Sequence, residues 1–422
     1  MERHAAVGIV PFGEEEESVL QKELHKQFTT MIAEPRVQEG LAFLKNDDRQ
    51  TLHEQMTIAE IPAPPFQEEK RANYVQEQFK KLGLTNVKQD EEGNVYGLRP
   101  GKKDVSATVV SAHLDSVFSE ETDVTVKERD GVYYGPGITD DARGLAALLS
   151  VIRAFQHTGI QTEAPIVFLA TVGEEGPGDL RGVKAFIDGN ANIASFISID
   201  SVSPEEIIYQ GTGSFRYEVT FSGTGGHSFQ HFGTPSAVHA AGRAIAAIAS
   251  LDVPETPKTT FNVGVVEGGT IPTAIAETCT IKLDLRSNGR AELDSIAEKA
   301  LLSCKTACSQ EGEGDQTIRL STKKVGDRPV GVQSANSEIV EMAVLATEAL
   351  GLTPELAPPS STDANYPISK GIPALTLGGG GEGGGYHSLN EWYKPVNSYL
   401  GPQRVWLVAL GLARAIPGSQ NS

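Results

Sequence analysis

Five short segments carrying acids or histidines constrain this chain more than any other feature: His113-Leu114-Asp115, Asp140-Asp141, Glu174-Glu175, Asp200 and His387. Four of them end or follow an apolar, β-rich run. ATVVSA precedes His113, APIVFLATVG precedes Glu174, ASFISI precedes Asp200, and IPALTLGGG lies upstream of His387. Such runs predict an open α/β sheet, in which the carboxyl ends of the strands converge on one crevice. Residues far apart in sequence then meet at a single site.

The residue types suit a dinuclear metal site. Zinc accepts imidazole nitrogen and carboxylate oxygen, and two such ions a few ångströms apart need a ligand that bridges them. Asp140 is the natural bridge. His113 with Asp200 would complete one metal and Glu175 with His387 the other, leaving room for water and substrate. Asp115, two residues from His113, is placed to accept the other ring N–H and fix the tautomer. Glu174, beside a ligand without being one, is placed to take a proton from water.

Blander readings exist for each piece. An isolated H-x-D is commonly a partly buried histidine satisfied by a nearby acid, and a Glu-Glu or Asp-Asp pair is commonly a solvated face. Placement argues against both, because GPGITDDARG and TVGEEGPG set the acidic pairs beside glycine and apolar runs. Charges that close to a core need partners or a metal.

In combination, HLD, G-x-G-x-x-D-D-x-x-G, GEEG, the isolated Asp200 and a late histidine resemble the dizinc hydrolases that include peptidase T, glutamate carboxypeptidase, aminoacylase and acetylornithine deacetylase. The resemblance runs from IPAPPFQEE at residue 61 to the YHSLNEW segment at 386. It implies a zinc-peptidase-like catalytic domain with a central mixed sheet flanked by helices. It also implies two divalent ions held by His113, Asp140, Glu175, Asp200 and His387, Glu174 as general base, Asp115 as orienting acid, and a cis peptide between Asp140 and Asp141. In the inserted domain, His227 of Gly226-His227-Ser228 matches a histidine that donates to the oxyanion, in dimeric members across the subunit interface. Without the resemblance it would read as a surface loop histidine. Arg286, otherwise an ordinary strand-end arginine, becomes a clamp for a substrate carboxylate. Where the family often has Asn followed by Ile-Pro, this chain has Thr273 followed by Ala-Ile-Ala, so the substrate contact of that Asn has no counterpart.

Composition narrows the function classes. A chain of 422 residues exceeds one compact core, so two domains are expected. The net charge of −19 disfavours nucleic acid and anionic membrane as partners. Three cysteines, an odd number, suit a reducing compartment rather than a disulfide scaffold. Cys304 and Cys308 read as ordinary thiols one helical turn apart. The start, MERHAAVGIVPFGEEEESV, lacks an apolar core of signal-peptide length, and no stretch is long enough to span a bilayer, so a cytoplasmic location is expected.

Along the chain, residues 1 to about 34 read as an acidic arm. QEEKRANYVQEQFKKLGL predicts an amphipathic helix, NVKQDEEGNVYGLRPG a strand, turn and strand, and ARGLAALLSVIRAFQHTG a helix following Asp141. From residue 213 to 326 the order strand, helix, strand, strand, helix, strand predicts an inserted ferredoxin-like lid or dimerisation domain, whose first helix starts from Thr234 as N-cap with Pro235 at N1. Residues 1–212 and 327–422 form the catalytic domain, with hinges near 212 and 326. GGGGEGGG, residues 378 to 385, reads as a flexible loop delivering His387. Glu391 and Ser361-Thr362-Asp363 resemble family segments near the site and take a supporting role.

These features point to an exopeptidase of di- or tripeptidase type, acting through a hydroxide that bridges two zinc ions, with cobalt or manganese able to substitute, and forming a homodimer through the inserted domain. The alternative within the family is an N-acyl amino acid deacylase, which shares every catalytic residue. A non-catalytic binding protein on the same fold has no use for Glu174, and a calcium module would need D-x-D-x-D-G spacing, which is absent.

Overall fold

The computed structural model describes residues 19–312 and 317–416. Its largest sheet has eight strands, in the order Thr85–Gln89, Val95–Arg99, Ile166–Thr171, Ala107–His113, Ile193–Ile199, Ala374–Leu377, Glu206–Ile208, Glu355–Leu356. The central four, from Ile166–Thr171 to Ala374–Leu377, run parallel, while Val95–Arg99 joins antiparallel at one side. Every residue of Ala107–His113 is buried, as expected of a strand covered on both faces. The pleat divides its side chains between two cores. Val110 and Ala112 pack with Phe168, Ile197 and Leu375 toward the helices Ala142–Thr158 and Leu400–Leu412. Val109 packs with Leu169 and Phe196 toward the helix Arg181–Gly189.

A second sheet of four antiparallel strands runs from Gly213 to Arg328 in the order Thr259–Gly268, Thr278–Ser287, Gly213–Ser222, Arg319–Arg328. Its helices, Ala237–Ala249 and Arg290–Glu311, share a separate core with it that includes Phe221, Ala244, Ile281, Leu285 and Ile296. The two crossings between the sheets lie side by side. Gly211 and Gly331 exchange backbone hydrogen bonds of 2.8 and 3.0 Å.

Two local expectations are corrected. The first helix of the second sheet begins at Ala237 with extended Ser236 before it, rather than at Thr234 and Pro235. The Thr234 amide is occupied in a turn with the His231 carbonyl, and the fixed φ of Pro235 serves an extended approach as well as a first helical turn. The glycine-rich segment also is not all loop. Glu382–Gly384 pairs with Trp392–Lys394, which in turn pairs with Val132–Tyr134, so His387 sits at the tip of a hairpin. The acidic arm contains the helix Val19–Ile32, and its first 18 residues lie outside the described ones.

Trp406 is wholly buried, and a Cβ added at Gly40, in the helix Pro35–Asn46, would collide with its ring. Gly40→Ala should therefore destabilise the chain by about 1 to 3 kcal/mol through overpacking, although alanine is the better helix former by about 1 kcal/mol. The urea midpoint checks this, and an upward shift would contradict the packing described.

Candidate active site

Because the central strands are parallel, their carboxyl ends open on the same edge of the sheet. His113 is the last residue of its strand, Asp200 directly follows Ile193–Ile199, and Glu174 and Glu175 lie just beyond Ile166–Thr171. Asp140 enters on the turn ahead of Ala142–Thr158, and the hairpin tip supplies His387. Asp140 sits between the two imidazoles, with Oδ1 2.9 Å from His113 Nε2 and Oδ2 3.0 Å from His387 Nε2. His387 Nε2 is also 2.9 Å from Glu175 Oε1. To turn its ring inward His387 adopts a left-handed backbone, φ 60°, a conformation uncommon for a residue with a Cβ. Possible metal donor atoms of His113, Asp140 and Glu175 lie within 4.8 Å of one another, as do those of His113, Asp141 and Asp200.

The neighbouring groups hold this arrangement through backbone contacts. His113 Nδ1 is 3.0 Å from the Asp115 carbonyl, which can only accept, so Nδ1 carries the proton and Nε2 is the donor atom toward the site. The Asp115 carboxylate, expected to accept that proton, stands 3.6 Å away and instead receives the Glu174 and Glu175 amides at 3.0 and 2.8 Å. Asp141, joined to Asp140 by a cis peptide as the resemblance implies, receives the His113 amide at 3.0 Å and caps the following helix through Gly144 N at 2.9 Å. Both its oxygens are thus engaged by amides. Glu391, fully buried, accepts the amides of Gly137, Thr139 and Asp140, and so fixes the loop that presents Asp140. Buried Arg71 donates to the Leu114 carbonyl at 2.8 Å.

Seven carboxyl groups crowd this edge, from Asp115, Asp140, Asp141, Glu174, Glu175, Asp200 and Asp363, and few cations face them. Burial, then repulsion from Asp140, pushes Asp200 up to about 7. Burial likewise raises Asp363 to about 6 and lifts Glu174 well above the carboxylate range despite Arg328. Hydrogen bonds to Asp140 and Glu175 push His387 up to about 10. Burial opposes a charge on His113, but the surrounding aspartates outweigh it and raise its pKa as well. A divalent cation among these groups would reverse this balance, and a set of imidazoles and carboxylates without thiolate suits one.

The cluster lines a cavity of about 480 Å³ whose wall also includes Arg216, Arg286 and Arg328. Arg286 thus lines the same cavity as the acidic cluster. His227 does not line this cavity. It stands exposed in the segment Gly226–His227, its Nδ1 accepting the Phe229 and Gln230 amides at 3.2 and 3.4 Å. Two residues of the wall escaped the sequence reading. Arg328 donates through Nη1 to Glu174 Oε1 at 3.2 Å and to Ser361 Oγ at 3.1 Å, and through Nη2 to the Glu174 carbonyl. Arg216 donates to the Gly176 carbonyl at 2.7 Å. Neither position carries a local signal, since each is an arginine in a strand whose partner lies far along the chain.

A pH dependence follows. Asp200 and Asp363 hold protons in the metal-free folded chain that an unfolded chain releases above about pH 4, so stability falls as they ionise between about pH 4 and 7. The elevated His387 contributes stability that is complete below about pH 6.5 and is lost as pH rises toward its folded value. Both effects have the same sign between pH 5 and 8. The melting temperature of chelator-treated protein should fall across that range and become less pH-dependent with divalent metal added. A flat or rising profile without metal would contradict the electrostatics described.

The sequence pattern of peptidase family M20/M25/M40 matches residues 109–409. Carboxypeptidase G2 of Pseudomonas sp. (strain RS-16) is 22% identical over 352 residues, covering 80% of this chain and 81% of that protein. A tripeptidase structure from Staphylococcus aureus subsp. aureus Mu50 superposes with a TM-score of 0.73 at 22% identity, covering 87% of this chain and 99% of that one. Aminopeptidase PepT from Bacillus cereus ATCC 10987 gives a TM-score of 0.70 at 23% identity, with 87% and 98% covered. At these identities the superpositions speak for the fold. The family match spans most of the chain and takes in every histidine and acid of the cluster, so the chain belongs to peptidase family M20/M25/M40 and is a hydrolase acting on peptide bonds.

Proposed function

We propose that the chain is a metal-dependent exopeptidase of short peptides. The observation that carries this reading is Asp140, whose two oxygens face two different imidazoles while Glu175 and Asp200 flank them. His113, Asp140 and Asp200 would hold one ion, and Asp140, Glu175 and His387 the other. The donor set favours zinc, with cobalt or manganese as substitutes. When bound, such ions lower the pKa of water and polarise a carbonyl. Glu174 takes the proton from that water and returns it to the leaving amine nitrogen. Arg328 steadies the Glu174 carboxylate during the exchange. A cavity of about 480 Å³ accommodates a dipeptide or tripeptide, the size of substrate that the name of the tripeptidase neighbour indicates for that protein.

The four-stranded unit is the lid in this reading, and the chain acts as a homodimer through it. Thr259–Gly268 is an edge strand, on which Val266 is 59% exposed, and Phe229 and Phe232 beside His227 are 86% and 92% exposed. With Nδ1 accepting backbone amides, His227 carries its proton on Nε2, as an oxyanion donor requires. Its position outside its own chain's cavity supports donation to the partner's site. Three free, buried thiols suit a reducing compartment such as the cytoplasm. No helix among the described residues is long and apolar enough to cross a membrane.

Purified protein should carry two divalent ions per chain and lose activity on chelation. In a screen of di- and tripeptides beside N-acyl amino acids, Glu174→Gln should keep both ions and lose turnover by on the order of a hundredfold or more, whereas Glu175→Gln should bind one ion more weakly. Equal metal loss in the two variants would sink the division of roles.

Mixing Glu174→Gln with His227→Ala protein should restore part of the activity, because some mixed dimers hold one complete site. No recovery in mixtures shown to exchange subunits would rule out the contribution across the dimer.

A further inference from the structure

Residues 359–365 run between the cavity and the two crossings that join the sheets. Ser360, Ser361 and Thr362 line the cavity. One side of the segment is fixed to the first sheet: Asp363 Oδ2 accepts from Thr171 Oγ1 at 2.5 Å, and the hydroxyls of Thr362 and Thr376 are 2.7 Å apart. Thr171 ends the strand that leads to Glu174, and Thr376 belongs to Ala374–Leu377. The other side meets a crossing. Thr212 N donates to the Ser360 carbonyl at 2.7 Å, and Thr212 Oγ1 to the Pro359 carbonyl at 3.1 Å.

Asn365 closes the segment and is 1% exposed. Its Oδ1 accepts the Thr362 amide at 3.1 Å. Its Nδ2 donates twice, to the Thr212 carbonyl at 2.9 Å and to the Pro329 carbonyl at 3.1 Å. These carbonyls belong to different crossings, the outgoing chain that opens on Gly213–Ser222 and the returning chain that leaves Arg319–Arg328. A primary amide carries two N–H donors, held in one plane, so one side chain sets the separation of both chains. The crossing is built to admit it, since a Cβ added at Gly211 would come within 2.6 Å of the Asn365 amide. Other side chains fail on chemical grounds. An aspartate would turn carboxylate oxygens toward two carbonyl oxygens, and a serine has one donor for two acceptors.

We infer that Asn365 is a positioning residue for the reaction. By gripping both crossings with one amide it sets the four-stranded unit over the acidic cluster, and with it the distance across the cavity from Arg216 and Arg286 to Glu174. The cavity draws its lining from both units, so a peptide spanning it meets groups whose spacing depends on the crossings. The grip also reaches the general base from the same segment, because Ser361 Oγ accepts from Arg328, which donates to Glu174. The inference rests on the peptidase reading above and adds to it the residue that keeps the two halves of the site in register.

The test measures distance and turnover on the full metal-loaded chain. Val105 and Leu302 are exposed, one on each unit, and the native cysteines are buried, so spin labels attach selectively through Val105→Cys and Leu302→Cys. Pulsed electron paramagnetic resonance then reads the distance between the units. Asn365→Asp, nearly identical in shape, should broaden or displace that distance distribution while the protein keeps two ions per chain. Its kcat/KM on a tripeptide should fall by roughly 10- to 100-fold, the scale of a small misalignment of reacting groups. Asn365→Ser should do the same to a smaller degree. Gly211→Ala leaves Asn365 in place but pushes its amide aside, and should move the distance as Asn365→Ser does. These two milder variants carry the same reading if Asn365→Asp does not fold. A lower melting temperature with distances as in wild type would make Asn365 an ordinary buried amide and overturn the inference, as would altered distances with unchanged kcat/KM. Altered distances in a chain whose wild type cleaves no peptide would keep the grip on the crossings and overturn the peptidase reading.

Discussion

Repulsion among buried and half-buried carboxylates governs the architecture of this chain. Seven of them meet at one sheet edge, and burial raises the cost of each charge. The surrounding structure is arranged so that the acids stay close without collapsing onto one another. Main-chain amides are the principal means: Asp115 takes those of Glu174 and Glu175, Asp141 those of His113 and Gly144, and Glu391 those of Gly137, Thr139 and Asp140. Amides supply fixed positive dipoles from the rigid parts of the fold, and they leave Asp140, Glu175 and Asp200 with oxygens available to the cavity. The parallel sheet is the element that makes this possible, because it alone brings four strand ends to one place.

Much of the site could be read in the sequence because strand ends carry a local signature, an apolar run followed by glycine and an acid. His113, Glu174, Glu175 and Asp200 follow that pattern, and the structure gathers them with Asp140 and His387. The order of elements from residue 213 onward likewise agrees with the strand order of the second sheet, since alternating periodicities are local. What escaped depends on partners remote in sequence. Arg328 meets Glu174 across 154 residues and Arg216 meets Gly176 across 40, and no short window contains both members of either pair. The contacts of Asp115 also depend on the next loop. Its spacing to His113 places it beside the imidazole, where its main-chain carbonyl meets Nδ1 at 3.0 Å while its carboxylate, 3.6 Å away, also takes the Glu174 and Glu175 amides.

Polar contacts tie the second sheet to the acidic turn of the first. Residues 174 to 184 meet the second sheet at several points: Arg328 on Glu174, Arg216 on Gly176, and Lys184 and the Asp327 amide around Asp179. These bonds lie beside the paired crossings at Gly211 and Gly331. Any turning of the four-stranded unit about the crossings would have to rearrange these polar bonds, which include those of Arg328 to Glu174.

The hairpin that ends at His387 has a consequence for how the chain can vary over evolutionary time. One strand register, Gly384 opposite Trp392, brackets the segment that carries both His387, which faces Asp140, and Glu391, which holds the Asp140 loop from behind. Surface loops ordinarily accept insertions and deletions. Here a single added or missing residue would shift the histidine relative to its own buttress, displacing the front or the back support of the same aspartate. The length of this glycine-rich tip is therefore as constrained as a core position, although its composition resembles that of a freely variable linker.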